Sequence, residues 1–311
     1  MVRLEEKSNH QNDNLMTELS IIIISYNTKN VIKKCLFYLK KNFDKYPLSY
    51  QIIVVDNASL DGSVSLLKKI SSQWSNLKVI FSKKNLGFVK GNNLALNYIK
   101  KSKYILFLNS DVFVKDIDFN DLLKLLEFDE KIGALTVKLL LSNQHLDLAC
   151  HRGFPNLWRS FCYFSNLEKF FSKIFFLNKI FGGYHLTHLN LEEVHSVEVI
   201  SGAFFLTRKE IIDKIGGFDE DYFAYGEDIE MCWQINKLGY KIIYYPLWQA
   251  IHLKSISGLK KKDNFVREET KYYFYQSMKI FYQKHFEKKH PFFLNKLVYF
   301  FIDLQKKLKG L

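Results

Sequence analysis

Short β-rich apolar runs that open abruptly into polar residues set the rhythm of this chain. LSIIIISYN (Leu19 to Asn27) reads as a buried parallel strand entering a loop, and residues 29 to 41 then place Val31, Ile32, Cys35, Leu36 and Leu39 on one helical face. QIIVVDNAS (Gln51 to Ser59) repeats the strand-to-polar transition, and DGSV starts a second helix with Asp61 or Ser63 as its N-cap. A third strand at Leu77 to Phe81 leads into KNLGFVKGNNLALNYIKK, whose glycines permit a tight loop before a helix, and YILFLNSD supplies a fourth strand. Such alternation implies a parallel sheet with helices on both faces, and ligands bind such sheets at the carboxyl ends of the strands. Those ends carry Tyr26, Asn27, Asp56, Asn57, Asn109, Ser110 and Asp111.

After residue 115 the rhythm changes. A helix around Asp121 to Phe128 and a strand at Gly133 to Leu141 precede an aromatic, irregular stretch from His151 to His195. VISGAFFLTR (Val199 to Arg208), GGFDEDYFAYGEDIEMCWQINKLGY (Gly216 to Tyr240), the strand KIIYYP and the segment WQAIHLKSIS follow, and the last 50 or so residues read as helical, basic and aromatic.

Composition narrows the picture only a little. The 311 residues, 48% hydrophobic and 25% charged, suit one large α/β domain or two packed lobes. The net charge of +13 calls for an acidic partner, and nucleic acid, anionic lipid and phosphorylated substrates all qualify. The abundance of Lys, Asn, Ile and Phe also fits an AT-rich genome, so part of the basicity need not be functional. Cys35, Cys150, Cys162 and Cys232 lack the paired spacing of a zinc site and read as reduced core thiols. The opening MVRLEEKSNHQNDNL has no apolar stretch of a secretory signal, and no window reaches the roughly 18 apolar residues of a membrane span. A cytoplasmic location is expected, with no crossing of the bilayer.

Taken in order, ISYN, VVDNASLDGS, NLGFVKGNN, LFLNSDV, VISGAFFLTR, GGFDEDYFAYGEDIEMCW and the late His252 resemble the motifs of family-2 glycosyltransferases, especially their bacterial rhamnosyltransferase-like branch, over roughly residues 19 to 258. Each motif is short, and the series in one order carries the resemblance. It implies a GT-A fold, a Rossmann-like mostly parallel sheet flanked by helices, with a nucleoside-diphosphate sugar donor (dTDP- or UDP-linked) and a divalent metal, Mg²⁺ or Mn²⁺. The division it suggests is a flexible N-terminus (1–17), a nucleotide-sugar-binding half (18–115), an acceptor-binding and catalytic half (116–258) and a basic aromatic helical tail (259–311).

Residue by residue, the resemblance makes Tyr26 and Asn27 nucleotide contacts and brings Asp56 to a pyrimidine ring. A carboxylate at a strand end can in any case accept a hydrogen bond from a base or ribose. Gly87, Gly91, Asn92 and Asn93 would let backbone amides approach a diphosphate near a helix start. Asn109-Ser110-Asp111 stands at the metal motif, where the family has two carboxylates and this chain keeps only Asp111. A hard cation needs few protein ligands when the donor supplies oxygens, and His252 is the further ligand by resemblance. Glu227 and Asp228 open an apolar-faced helix, where the dipole favours their charged forms. The resemblance makes Asp228 the general base, with Glu227 supporting it or binding acceptor. Gly202, Ala203 and Trp233 are the acceptor-side positions, and Gln234 stands where the family often has Arg.

Together these imply an inverting transferase that builds bacterial surface polysaccharide on a saccharide acceptor, free or lipid-linked. A catalytically inactive nucleotide- or glycan-binding relative is the alternative, suggested by Asn109 and Gln234. An oxidoreductase is disfavoured because no GxGxxG follows the first strand. Interleaved aromatics and lysines in KYYFYQSMKIFYQKHFEKKHPFF suit a helix in the headgroup layer of an anionic membrane, making the protein peripheral at the inner face of the cell membrane. They suit equally a helix packed on the catalytic domain. No recognised nucleic-acid-binding motif accompanies the charge.

Overall fold

Four isoleucines in a row make the first strand the centre of a sheet. In the computed structural model, which describes residues 17–99, 101–254 and 264–308, β1 (Thr17–Ser25) pairs in parallel with β2 (Tyr50–Asp56) on one side and β4 (Ser102–Asn109) on the other. Ile21, Ile22 and Ile23 are wholly buried, as a strand covered on both faces requires. β3 (Leu77–Phe81) extends the sheet beyond β2, giving the order β3-β2-β1-β4. The chain therefore reverses direction of growth at β1, and the crevice outside the carboxyl ends of β1 and β4 is where such a sheet binds ligands. The helices between these strands are α1 (Lys29–Lys45), α2 (Ser63–Ser71) and α3 (Gly87–Leu96).

The second half adds antiparallel strands. β5 (Val112–Phe113), α4 (Phe119–Phe128) and β6 (Ile132–Leu141) come first, and β7 (His195–Val197), β8 (Phe204–Arg208), α8 (Lys209–Ile215), α9 (Glu227–Lys237) and β9 (Lys241–His252) follow. β8 lies antiparallel to β4 and β6, while β6 and β9 run parallel. The stretch expected to be irregular between His151 and His195 instead holds three short helices, α5 (Leu157–Phe164), α6 (Leu167–Phe171) and α7 (Phe175–Phe181). Its aromatic residues lack a clear 3.6 period because several of them face outward.

One further expectation is corrected. The N-cap of α2 is Gly62, in a left-handed conformation, and neither Asp61 nor Ser63 occupies that position. Asp61 acts from one residue outside, accepting from Ser63 N at 3.0 Å and from Lys29 N at 2.8 Å, so one carboxylate serves the starts of both α2 and α1. Burial works against its charge, yet these donors hold its acid below the usual range.

The tail is two helices with different surroundings, α10 (Asn264–His285) and α11 (Phe292–Leu308). α10 buries Tyr275, Phe281 and Tyr282, and Phe281 packs against Trp233 of α9 with ring centroids 5.6 Å apart. α11 leaves Phe292, Phe293, Phe300 and Phe301 exposed. Of the flexible opening expected for residues 1–17, Thr17 already belongs to β1, and residues 1–16, like the boundary expected at 258, lie outside the described residues.

This contrast predicts that Phe281→Ala lowers stability by about 3 to 5 kcal/mol, the usual cost of emptying a buried phenylalanine site. Phe293→Ala should stay within about 0.5 kcal/mol of the parent. Denaturant unfolding of the two variants checks both, and equal effects would remove α10 from the core.

Candidate active site

The nucleotide side of the crevice is built from strand ends. Asp56 is fully buried; its Oδ1 accepts from Ser59 N at 3.0 Å, while its Oδ2 has no partner among the described residues. Asn57 donates from Nδ2 to Gly87 O at 2.9 Å and leaves its buried Oδ1 unpartnered. Buried acceptors of this kind demand an N–H or O–H donor from a ligand or water. Asn27, at a left-handed φ of 53°, braces the adjoining loop through Ser59 Oγ at 2.9 Å and Leu60 N at 2.8 Å, with Tyr26 exposed beside it.

The loop into α3 divides by role. Gly87 has φ of 74°, and a Cβ there would lie 2.9 Å from the carbonyl oxygen of Phe223, so glycine is required where this loop meets the segment preceding α9. Gly91 and Asn92, expected beside a diphosphate, also carry packing roles in α3. A Cβ at Gly91 would meet Ile24 at 3.2 Å, which makes this glycine a device for close helix–sheet packing, and Asn92 is buried with Nδ2 donating to Phe88 O. Asn93 grips Phe218 by both of its backbone groups at 2.8 Å.

At the end of β4 the sheet pairing brings distant residues together. Val112 lies opposite His252, and Leu253 N donates to Asp111 O at 3.0 Å. His252 Nε2 is 3.4 Å from Asp111 Oδ1, and its Nδ1 is 2.7 Å from Asp147 Oδ2. Lys254 Nζ reaches Asp147 Oδ1 at 2.7 Å. Burial alone would lower the imidazole, but Asp111 and Asp147 outweigh it and push His252 up to about 9. Burial likewise disfavours a charged Asp147, yet His252 and Lys254 hold it well below the usual carboxylate range.

Asp111 Oδ2 is buried and without a partner among the described residues. Asp111 and His252 thus fit a cation that takes its remaining ligands from a bound diphosphate, with Asp147 orienting the imidazole as metal-binding histidines require. Among the described residues no group of three or more His, Cys, Asp or Glu suits a metal alone. Asn109 is used structurally, its N–H donating to Ala203 O at 3.0 Å, with Ser110 buried beside it.

The acceptor side centres on the start of α9. Tyr225 and Gly226 both have positive φ, 67° and 80°, and turn the chain sharply into Glu227. Asp228 Oδ2 lies 2.6 Å from Arg152 Nη2, with side chains 13% and 11% exposed, and its Oδ1 accepts from Ile229 N at 2.8 Å. Arg152 is itself held by Ala149 O at 2.9 Å. Burial first, and the charge of Asp228 second, push Glu227 up to about 8, and its buried Oε2 has no partner among the described residues. The two carboxyls are thereby differentiated: Arg152 is bonded to Asp228, and Glu227 is the buried one whose acid is raised.

A Cβ on Gly202 would lie 3.4 Å from Phe88 and 3.9 Å from Asp228 Cβ, so this glycine sits at the seam between donor loop and α9. Ala203 is buried beneath it and bonded to Asn109, not open to an acceptor. Trp233 is partly buried, packing on Phe154 at 4.8 Å and His285 at 4.6 Å. Gln234 donates to Glu230 at 2.7 Å, and His285 of α10 approaches the other oxygen of Glu230 at 2.7 Å. Glu230 is thus held from two helices, α9 and α10.

Asp147, Arg152 and His285 escape motif reading because each lies in a segment without periodicity or short-range signature. One signal points to Arg152. Only five of the 45 basic residues are arginine, and Arg152, Arg159 and Arg208 each make several fixed contacts.

Comparison with known proteins agrees with this geometry. The Glycosyl transferase family 2 model matches residues 20–216, and that of Glycosyl transferase family group 2 matches residues 129–304. The rhamnosyltransferase WbbL of Escherichia coli is 30% identical over 241 residues, 75% of this chain and 82% of that protein. The N-acetylglucosaminyl-diphospho-decaprenol L-rhamnosyltransferase of Mycobacterium tuberculosis is 36% identical over 58 residues, 19% of each chain. The mannosyltransferase PcManGT of Pyrobaculum calidifontis, solved with GDP-Man and Mn²⁺, superposes with a TM-score of 0.55 at 16% identity over 87% of this chain. TarS of S. aureus with UDP-GlcNAc gives 0.55 at 17% identity over 85%. The chain spans 64% and 65% of those two structures, and at such identity they share its fold alone. The sheet order, the crevice at its switch point and the matched family together establish that this chain belongs to glycosyl transferase family 2 and is a GT-A glycosyltransferase.

Proposed function

We propose that the enzyme transfers one sugar from a dTDP- or UDP-linked donor to a saccharide hydroxyl with inversion, in bacterial cell-surface polysaccharide synthesis. The observation that carries this reading is the Asp228 carboxylate, fixed by Arg152 and Ile229 N on the far side of Gly202 from the donor loop. Asp56 Oδ2 supports a donor whose base offers an N–H. Asp111 and His252 are the residues to hold Mg²⁺ or Mn²⁺, which when bound neutralises the charge of the departing diphosphate. The neighbours solved with Mn²⁺ support that assignment in general terms.

In the proposed displacement the acceptor hydroxyl gives its proton to Asp228 as its oxygen bonds to the anomeric carbon. The bond from that carbon to the diphosphate breaks, and the electron pair leaves with the phosphate. A sugar hydroxyl is a poor nucleophile until its proton has somewhere to go, so the base acts in the transition state. One displacement inverts the configuration. Glu227, whose acid is raised by burial and whose Oε2 has no partner among the described residues, is suited to a hydrogen bond with the acceptor.

The mycobacterial relative is named for a decaprenol-linked acceptor, which supports a lipid-linked acceptor here. α11, with Phe292, Phe293, Phe300 and Phe301 exposed beside Lys296 and Lys307, supports contact with an anionic membrane at its inner face. Among the described residues, no helix is long and apolar enough to cross a membrane.

Three outcomes follow from this assignment. Asp228→Asn should cut transfer by about 10² to 10⁴-fold while leaving donor affinity nearly intact, because size is kept and proton acceptance lost; retention of more than half the parent rate removes Asp228 from its role. Asp111→Ala should abolish the additional thermal stabilisation that Mn²⁺ gives the UDP- or dTDP-bound protein, and an unchanged metal response refutes the ligand assignment. Arg152→Met should destabilise the fold by about 3 to 5 kcal/mol, because a buried carboxylate loses its partner. The same change should cost much less in an Asp228→Asn background, where no charge is left unpaired. Equal costs in the two backgrounds would show that the pair is not coupled.

A further inference from the structure

We propose that the outer face of α5, α6 and α7 docks on an anionic lipid bilayer and so presents the acceptor side of the active site to the membrane surface. This rests on the membrane-proximal transfer reading above and assigns it to a second surface, separate from α11.

The face is apolar where solvent should have selected polar residues. Phe170 is 76% exposed, Phe176 77%, Phe175 62% and Phe161 56%, with Ile174 and Ile180 also exposed. Soluble monomers seldom display so many large apolar side chains on one short segment without a surface to meet. Nor is the segment poorly folded. Trp158 Nε1 donates to Ile180 O at 2.9 Å, Asn178 Nδ2 to Thr187 O at 3.1 Å, and Phe171 stacks on Phe181 at 4.5 Å. The inner side is fixed by these contacts, so the outward aromatics are held out by a defined structure.

Charge selects the partner. Residues 157–181 contain one acidic residue, Glu168, which is buried and bonded to His185 at 2.9 Å. The one arginine, Arg159, is paired with Glu198. What remains exposed is Lys169, Lys173 and Lys179, interleaved with phenylalanines, and Lys179 Nζ lies 4.5 Å over the Phe175 ring. An exposed surface with aromatic rings and only cationic charge complements a layer of anionic headgroups over acyl chains.

Position links the face to the chemistry. The chain enters this insertion through Arg152, bonded to Asp228, and the next residue, Gly153, donates its N–H to the carbonyl of Tyr184 at 2.8 Å, whose ring lies 5.0 Å from that of Tyr163 on α5. A bilayer contacting α5 to α7 is therefore joined to the proposed base by one short stretch of ordered chain.

Flotation of the full chain with vesicles of phosphatidylethanolamine and phosphatidylglycerol, and with phosphatidylcholine vesicles, tests the proposal. The parent should float with the anionic vesicles and lose that binding at high salt. F175E/F176E should reduce the bound fraction about tenfold, and K169E/K173E should weaken binding to anionic vesicles only. Both variants should keep the parent's melting temperature, and F175S/F176S repeats the test without added charge. Parent-like flotation of all three variants, or absence of parent flotation at low salt, overturns the proposal. So does a parent dimer in light scattering that F175E/F176E converts to monomer while flotation is unchanged, which would assign the face to a second copy. Donor hydrolysis by the parent is measured alongside: its absence counts against the enzyme reading, whereas flotation alone decides the docking face.

Discussion

The buried contact between Arg152 and Asp228 is the interaction on which the acceptor half depends. It joins two segments 76 positions apart, one entering the aromatic insertion and the other starting α9, at the point where both approach the donor loop. A buried ion pair contributes little net stability, but removing one partner strands the other. The same pair separates the two carboxyls of the Glu-Asp sequence: the guanidinium is bonded to Asp228, while burial and the neighbouring Asp228 raise the acid of Glu227. Neighbouring groups whose environments drive their protonation apart are the usual mark of divided acid and base duties.

A second charged cluster, on the opposite side of the crevice, obeys the same logic with the sign reversed. His252 lies between Asp111 and Asp147, and Lys254 completes the balance. A divalent cation there would be held by Asp111 and by His252 through Nε2, with Asp147 orienting the ring through Nδ1. Asp147, outside the motif, thus brings a second carboxylate to a cluster in which Asn109 stands where the family's first carboxylate would be.

Much of this was legible in the chain. Strands announce themselves by apolar runs with polar ends, and Asp56, Asp111, His252 and Asp228 stand where strand ends and a helix start put functional groups. The packing roles of Gly91 and Asn92 are not legible, because glycine and asparagine also suit loops; only the closeness of Ile24 to Gly91 shows why a small residue is needed inside α3. The packing of Trp233 is hidden for another reason. Its apolar face is visible in the sequence, but α10, which covers it, begins some thirty residues later and carries no pattern naming its partner. Asp147 and Arg152 lie in a stretch where tertiary contacts alone determine their roles, though the scarcity of arginine in a lysine-rich chain marks Arg152 as a position where a planar, fixed guanidinium is needed.

The central claim is that Asp228 accepts a proton in a single displacement at the anomeric carbon. The most direct test is the anomeric configuration of the product, read from proton NMR couplings after transfer from whichever nucleotide sugar the enzyme accepts. Inversion relative to the donor is the predicted result. Retention of the donor configuration would require two displacements or front-face attack, and would contradict the assignment of Asp228 as the base.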